Sequence, residues 1–217
     1  MTATLATPLS QIELMPGSAI RITDVTWESY LALLSELGEN RATRIAYDTG
    51  VLEIRMPGQL HEVINQVLTA IILVLAEEFG FEFNNLGSMR MNRPDLATGI
   101  EPDSCFYLQN AQPGQGIETQ ISPNLPPDLA VEVDIANRSD SKLPICQAMR
   151  VPEIWLYQQA SLTILGLQAG EYQPQSLSQA FPAVAAEQLN QWIQLRKTGT
   201  DLTVVKAVRQ FCHDQSI

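Results

Sequence analysis

The stretch Leu129-Ala-Val-Glu-Val-Asp-Ile135 is an apolar run interrupted only by two acids. Apolar runs of this length are typical of a central strand that is covered on both faces of a sheet. Residues i and i+2 of a strand point to the same face, so we expect Glu132 and Asp134 to lie side by side. Two carboxylates on one buried face repel each other, so that one takes up a proton or both share a cation.

Patterns on both sides of this strand predict a mixed α/β fold. Apolar residues at three- and four-residue steps predict a helix over residues 60–79, which Gly80 ends. A helix over 27–37, capped by Thr26, and a hairpin around Asp48-Thr-Gly come before it. Further strands are predicted at residues 88–92, 105–108 and 153–157, with a hairpin over 162–173 and helices at about 140–150, 187–195 and 201–213.

The length of 217 residues is enough for one domain with additional segments. Residues 1–20 mix Thr, Ser, Pro and Gly with scattered apolar residues, so we predict a flexible N-terminal arm. We predict that a core follows over residues 21–180 and that a helical C-terminal extension covers 181–217.

The formal net charge is −11, from 13 basic and 24 acidic residues. Such a charge repels phosphate, so binding of nucleic acid requires a local basic patch. The residues that offer one near the predicted strand ends are Arg90, Arg93, Arg138, Lys142 and Arg150.

Cysteine and histidine usage argues against two common kinds of site. Cys105, Cys146 and Cys212 form no CxxC pair and there are only two histidines, so a disulfide framework or a zinc site is not expected. Unpaired cysteines fit a reducing cytoplasm. The N-terminus lacks the pattern of a signal peptide, and the apolar run 71–76 is too short to span a bilayer. We therefore expect a cytoplasmic protein without a membrane partner.

Several charged residues have both a chemical and an ordinary interpretation. Asp103 heads a short strand, and a cluster of such acids at strand ends suits a hard cation such as Mg²⁺; the alternative is that these acids are solvated or paired with arginines. Lys142, by its pattern alone, is a solvated surface residue. Glu62 is favoured at a helix start by the helix dipole, and His61 is either a proton shuttle or a surface or capping residue.

The chain resembles the Uma-two family of restriction endonucleases, common in cyanobacteria, within the PD-(D/E)xK nuclease superfamily. The matching stretches occur in the family's order and extend over about residues 40–175. They are Tyr47–Ile54, His61-Glu62, Arg93–Tyr107, Pro126–Asp134 and Lys142–Trp155.

This resemblance implies a restriction-endonuclease-like fold, in which a mixed central sheet is flanked by helices. It also implies Mg²⁺-dependent hydrolysis of phosphodiester bonds, with Mn²⁺ as an alternative ion and DNA as the expected substrate. Asp103 and Glu132 match the metal-binding acids, which the carbonyl of Val133 assists. Lys142 matches the family's lysine, and Glu62 matches an acid that completes the metal shell. A homodimer is expected, since two active sites suit double-strand cleavage and homodimers are common.

Some positions depart from the family pattern. Asp134 stands where the superfamily usually has its lysine, and Cys146 and Arg150 replace a Tyr and a Gly of the family. One alternative is therefore a catalytically inactive dimer with a nuclease fold that acts as a binding protein. Another is a phosphodiesterase for small molecules, whose substrate needs no long basic track.

Overall fold

The structure is a computed structural model that describes residues 12–38, 41–111, 121–135 and 142–215. Residues 1–11 of the predicted arm, Arg138 and the start of the helix predicted from about residue 140 lie outside these ranges.

Within the described residues the chain forms a mixed α/β structure, as predicted. The helices are α1 (Trp27–Leu37), α2 (Gln59–Glu78), α3 (Lys142–Ala148), α4 (Ala186–Thr198) and α5 (Asp201–Gln215). The strands are β1 (Ala19–Ile22), β2 (Arg44–Asp48), β3 (Val51–Arg55), β4 (Asn84–Asn85), β5 (Met91–Arg93), β6 (Thr98–Ile100), β7 (Ser104–Tyr107), β8 (Leu129–Asp134), β9 (Glu153–Gln158), β10 (Ser161–Gln168) and β11 (Glu171–Gln175).

These strands form two sheets. The six-stranded sheet has the order β11-β10-β9-β8-β7-β4 and is mixed, because β8 and β9 are parallel and its other neighbours are antiparallel. The five-stranded sheet has the order β1-β3-β2-β6-β5 and is antiparallel throughout. The mixed sheet is the predicted central one, whereas the sequence patterns did not predict the division into two sheets.

Helices cover both faces of the mixed sheet. One face packs against α2, α4 and α5 through a core that includes Leu68, Val131 and Trp155. The other face packs against α3 through Ala130 and Ile154. Every residue of β8 is buried, as its apolar run predicts. The alternation of its side chains sends the valines toward α2 and the even-numbered residues, which include Glu132, toward α3.

Helix α2 is long and apolar enough to cross a membrane by length and composition, but 56% of its most apolar stretch is buried inside the protein. Its buried residues Leu68, Ile71 and Ile72 are fully enclosed, and each such side chain contributes about 1.5–3 kcal/mol of hydrophobic stabilisation. This environment is that of a core helix.

The two ends of the described chain both contact the core. Strand β1 pairs with β3, so ordered structure begins before the predicted end of the arm at residue 20. At the other end α5 packs against α2, where Val208 joins the main core.

Candidate active site

The pairing of β7 with β8 brings two of the predicted acids together. Ser104 lies opposite Val131, and continuing this register by one residue places Asp103 opposite Glu132. Opposed residues project from the same face with their Cβ atoms about 5 Å apart. Asp103 is also held from the side, because the backbone N–H of Val133 donates a hydrogen bond of 2.7 Å to its Oδ2.

Lys142 joins the two acids from the first turn of α3. Its ammonium donates a hydrogen bond to Glu132 Oε2, and its Nζ lies 3.7 Å from Asp103 Oδ1. The side chain is 2% exposed. The interpretation of Lys142 as a solvated surface lysine is therefore wrong, because α3 lies on the face of the mixed sheet to which Glu132 points.

Burial and mutual charge shift the pKa values of this trio in different directions. Burial acts to raise the pKa of Asp103, but the Lys142 charge, neighbouring His61 and the Val133 N–H together hold it well below its usual range. Burial raises the pKa of Glu132 to about 7, with Lys142 opposing this rise and Asp103 adding to it. Burial acts to lower the pKa of Lys142, yet the two acids raise it above its ordinary value. Asp103 and Lys142 are thus charged at neutral pH, where Glu132 titrates.

Each of the two acids keeps one oxygen without a hydrogen-bond partner among the described residues. These atoms are Asp103 Oδ1 and Glu132 Oε1, and both are buried. A buried carboxylate oxygen without a partner is costly in the free protein and suits a ligand that supplies positive charge. No group of three or more His, Cys, Asp or Glu side chains within the described ranges is arranged to hold a metal ion.

The first turns of α2 supply the surroundings of Asp103. His61 is 6% exposed and its Nε2 lies 3.0 Å from Asp103 Oδ2, so its interpretation as a surface residue is wrong. Glu62 is 45% exposed and its Oε1 lies 3.6 Å from His61 Nδ1. Asn65 donates to the Asp103 carbonyl oxygen at 3.2 Å and accepts from the Ser104 hydroxyl at 3.0 Å.

A second buried cation, Arg55, was not identified from the sequence. Its Nη2 donates to Glu53 Oε1 at 3.0 Å, and its pKa is raised because the nearby acids Glu132, Glu53 and Asp103 outweigh its burial. The signal was present in the sequence, since Glu53 and Arg55 are two residues apart on a predicted strand and share a face.

A small open pocket lies beside this site. Its volume is about 70 Å³, and its lining includes Arg55, Gly58, His61, Val133 and Asp134. A water molecule occupies about 30 Å³ in the liquid, so the pocket has room for about two water molecules. Asp134 thus lies at the opening. The acid that contacts Lys142 together with Glu132 is Asp103.

The arginines expected to form a basic patch near the site do not act as one group. Arg90 Nε lies 3.7 Å from Glu101, and Arg93 binds Asp95 at 2.6 Å. Lys142 is buried with the acids, whereas Arg150 is exposed. The three cysteines are buried free thiols, and burial raises the pKa of Cys105 to about 12.

Comparisons with known proteins identify a family and a similar fold. The family model Uma2, described as "Putative restriction endonuclease", matches residues 27–200. The fold is similar to the crystal structure of a "putative nuclease belonging to DUF820" from Anabaena variabilis, with a TM-score of 0.55 and 14% sequence identity. That match covers 78% of this chain and 99% of the other. No curated protein matches the chain.

Proposed function

The chain belongs to the Uma2 family, and we propose that it is a Mg²⁺-dependent endonuclease that hydrolyses phosphodiester bonds of DNA. One observation carries this proposal. Asp103 and Glu132 are buried together beside Lys142, and each keeps one carboxylate oxygen without a hydrogen-bond partner among the described residues.

The donor set of this site fits a hard cation. Asp103 Oδ1 and Glu132 Oε1 are oxygen donors, which Mg²⁺ prefers and which Mn²⁺ also accepts, and the family resemblance adds the carbonyl of Val133. Mg²⁺ is usually bound by one or two carboxylates together with waters and substrate phosphates, so two buried acids suffice. When bound, such an ion polarises the phosphate and lowers the pKa of a bound water.

Two interactions of this chain prepare the acids for that role. The N–H of Val133 fixes the Asp103 carboxylate, so its Oδ1 has a defined direction. Lys142 donates a hydrogen bond to Glu132, and its long flexible stem would let the ammonium reach a phosphate bound beside the two acids. There it orients the attacking water and offsets the negative charge that develops on the phosphate.

Residues of α2 complete the proposed site. Glu62 is half-exposed and lies beside His61, and the family resemblance implies that its carboxylate supplies a further ligand. His61 lies against Asp103 and restricts the orientations available to that carboxylate. We assign His61 a positioning role for this reason.

We propose that the protein acts in the cytoplasm as a homodimer. Two copies would each supply one active site, which suits cleavage of both strands of a duplex. The buried free cysteines are compatible with a reducing compartment.

A plasmid-cleavage assay tests the proposed function. Wild-type protein with Mg²⁺ should convert supercoiled DNA to nicked or linear forms, and EDTA should stop the reaction. Asp103→Asn keeps the size of the side chain but removes a charged ligand, so it should lose about 10³-fold in rate. Equal cleavage by wild type and Asp103→Asn would contradict the assignment of this site.

A second candidate is an inactive nuclease-fold protein that binds a partner. The observation that favours it is that Lys142 already forms ion pairs with both acids, while Asp134 stands at the usual lysine position. In that case Lys142 is a permanent counter-ion, and Mg²⁺ should not bind even when DNA is present.

A further inference from the structure

An arginine-rich pocket lies at the start of β2, apart from the small opening described above. Its volume is about 190 Å³, and its lining includes Arg41, Arg44, Arg90 and Glu101. It therefore gathers three of the 13 basic residues of a chain whose net charge is −11. Since liquid water occupies about 30 Å³ per molecule, the pocket has room for a phosphate group.

Glu101, the one acid among the described residues that line this pocket, already has partners. Glu101 is 5% exposed and pairs with Arg41 through Oε1, from which Arg90 Nε lies 3.7 Å away. Its other oxygen accepts the backbone N–H of Ile45 at 3.1 Å. Among the described residues that line the pocket, one carboxylate therefore stands beside three guanidinium groups.

Two donors of the pocket have no acceptor in the described part of the chain. They are the buried Nε atoms of Arg41 and Arg44. A buried charged donor without a partner is unfavourable, and an anion with several acceptor oxygens relieves this cost. The planar guanidinium group matches the oxygens of a phosphate in a two-point geometry.

The pocket adjoins the candidate active site. Arg44 lies opposite Arg55 in the β2–β3 hairpin, and Arg55 lines the opening together with His61 and Val133. Glu101 is two residues before Asp103 in the chain. A nucleic-acid strand whose scissile phosphate lies at Asp103 therefore has a neighbouring phosphate within reach of these arginines.

We propose that this pocket binds a backbone phosphate of a nucleic-acid strand, next to the phosphate that is cleaved. This inference rests on the proposed function, because it assigns the strand's position relative to the candidate active site. It also explains how a strongly acidic protein binds nucleic acid, since a local cluster of arginines replaces a broad basic surface.

The test is calorimetric binding at low salt in EDTA, so that no divalent metal contributes. The probes are inorganic phosphate and a short single-stranded oligothymidylate. Both should bind and compete with each other. Arg44→Gln removes a guanidinium for which the described residues provide no ion pair, and should weaken both by roughly tenfold or more. It should also lower the slope of log affinity against log salt concentration for the oligonucleotide, by an amount that corresponds to about one phosphate contact.

Three further variants keep the result interpretable. Lys206→Gln makes the same charge change on the exposed face of α5 and should bind both probes as wild type does. Arg44→Lys keeps the charge and should lose less affinity than Arg44→Gln. Asp103→Asn should lose hydrolysis but keep binding, which separates failure of the proposed function from failure of this inference.

The inference is overturned if neither probe binds, or if Arg44→Gln binds the oligonucleotide as tightly as Lys206→Gln does. Binding of inorganic phosphate without competition by the oligonucleotide would also overturn it, because the pocket would then accept free phosphate rather than a strand. Thermal melting of each variant checks that it is folded.

Discussion

Glu132 and Glu153 are both fully buried on neighbouring parallel strands, yet their surroundings differ. The Glu153 carboxylate accepts hydrogen bonds from Trp155 Nε1 at 2.7 Å, the Ser178 hydroxyl at 2.6 Å and the Ala180 N–H at 3.3 Å, as well as from the Gln179 N–H. Glu132 accepts one bond from Lys142, and its Oε1 accepts none among the described residues.

The difference separates Glu153, which has a structural role, from Glu132, for which we propose a chemical one. Glu153 organises the loop that follows β11, because its oxygens satisfy donors from three consecutive residues, Ser178, Gln179 and Ala180. Glu132 instead retains an unused acceptor in a low-dielectric site, where it interacts strongly with any cation that enters. Burial is therefore common to both acids, and hydrogen-bond satisfaction distinguishes their roles.

The largest effect that we expect is the loss of catalytic activity in Glu132→Gln. Loss of a charged ligand should reduce DNA cleavage with Mg²⁺ by about 10³-fold, which corresponds to roughly 4 kcal/mol of transition-state stabilisation. Rates of plasmid nicking by wild type and Glu132→Gln measure this. Glu153→Gln is the matched control and should retain a much higher rate, provided it is folded. Comparable losses in both variants would end the distinction between the two acids.

The next effect is on stability at the structural acid. Glu153→Ala leaves the Trp155 and Ser178 side chains and the Gln179 N–H without their acceptor. We expect the free energy of unfolding to fall by about 3–5 kcal/mol, as measured by urea denaturation. A loss below about 1 kcal/mol would show that solvent replaces these hydrogen bonds and that Glu153 does not organise this loop.

The pH dependence of the free energy of unfolding should be controlled by the titration of Glu132. Its pKa is raised by burial to about 7, and the charged groups that affect it are Lys142, Asp103 and Arg55. The folded state binds the proton of the Glu132 carboxyl more tightly than the unfolded chain does. The stabilisation of the fold by this protonation is therefore present below about pH 4.5 and is lost as the pH rises through 7. Asp103, whose pKa is held low, stays ionised above pH 5 and adds no slope there.

Without divalent metal, the free energy of unfolding should therefore decrease by on the order of 2 kcal/mol between about pH 5 and 8. Urea denaturation at several pH values measures it. Glu132→Gln should flatten the curve, while Glu153→Gln keeps it. A wild-type curve that rises over this range would contradict the assigned direction of the shift.

The smallest effect is expected at the half-exposed acid. Glu62→Gln should weaken Mg²⁺ binding by tenfold at most, about 1.4 kcal/mol, because water readily replaces an exposed ligand. Calorimetry beside Glu132→Gln provides the comparison. A complete loss of binding in Glu62→Gln would place Glu62 at the centre of the metal site.

Local patterns predicted the elements of this fold well, because most of them depend on neighbouring residues. Helix α1 begins after Thr26, whose hydroxyl accepts the Ser29 N–H, and it ends at Gly38, as predicted. The hairpin of β2 and β3 and the strand β8 also formed as predicted. The division into two sheets depends on pairings between distant strands, which no local pattern contains.

The candidate site was predictable from its pattern only in part. The resemblance singled out Asp103, Glu132 and Lys142, and the fold brings these residues together. From spacing alone, Asp134 was the expected neighbour of Glu132, and Lys142 and His61 had surface interpretations. The burial of a single polar side chain depends on what packs over it, here α3 and the mixed sheet, so the sequence pattern could not predict it.

The most direct test of the central claim is calorimetric titration with Mg²⁺ in the presence of a short DNA duplex. Wild type is compared with Asp103→Asn and Glu132→Gln. A parallel titration with Ca²⁺ in place of Mg²⁺ limits cleavage of the DNA during the measurement. We predict Mg²⁺ binding in the wild type that both variants lose. Absence of binding in the wild type, or equal binding in all three proteins, would contradict a metal site at Asp103 and Glu132 and favour an inactive nuclease fold.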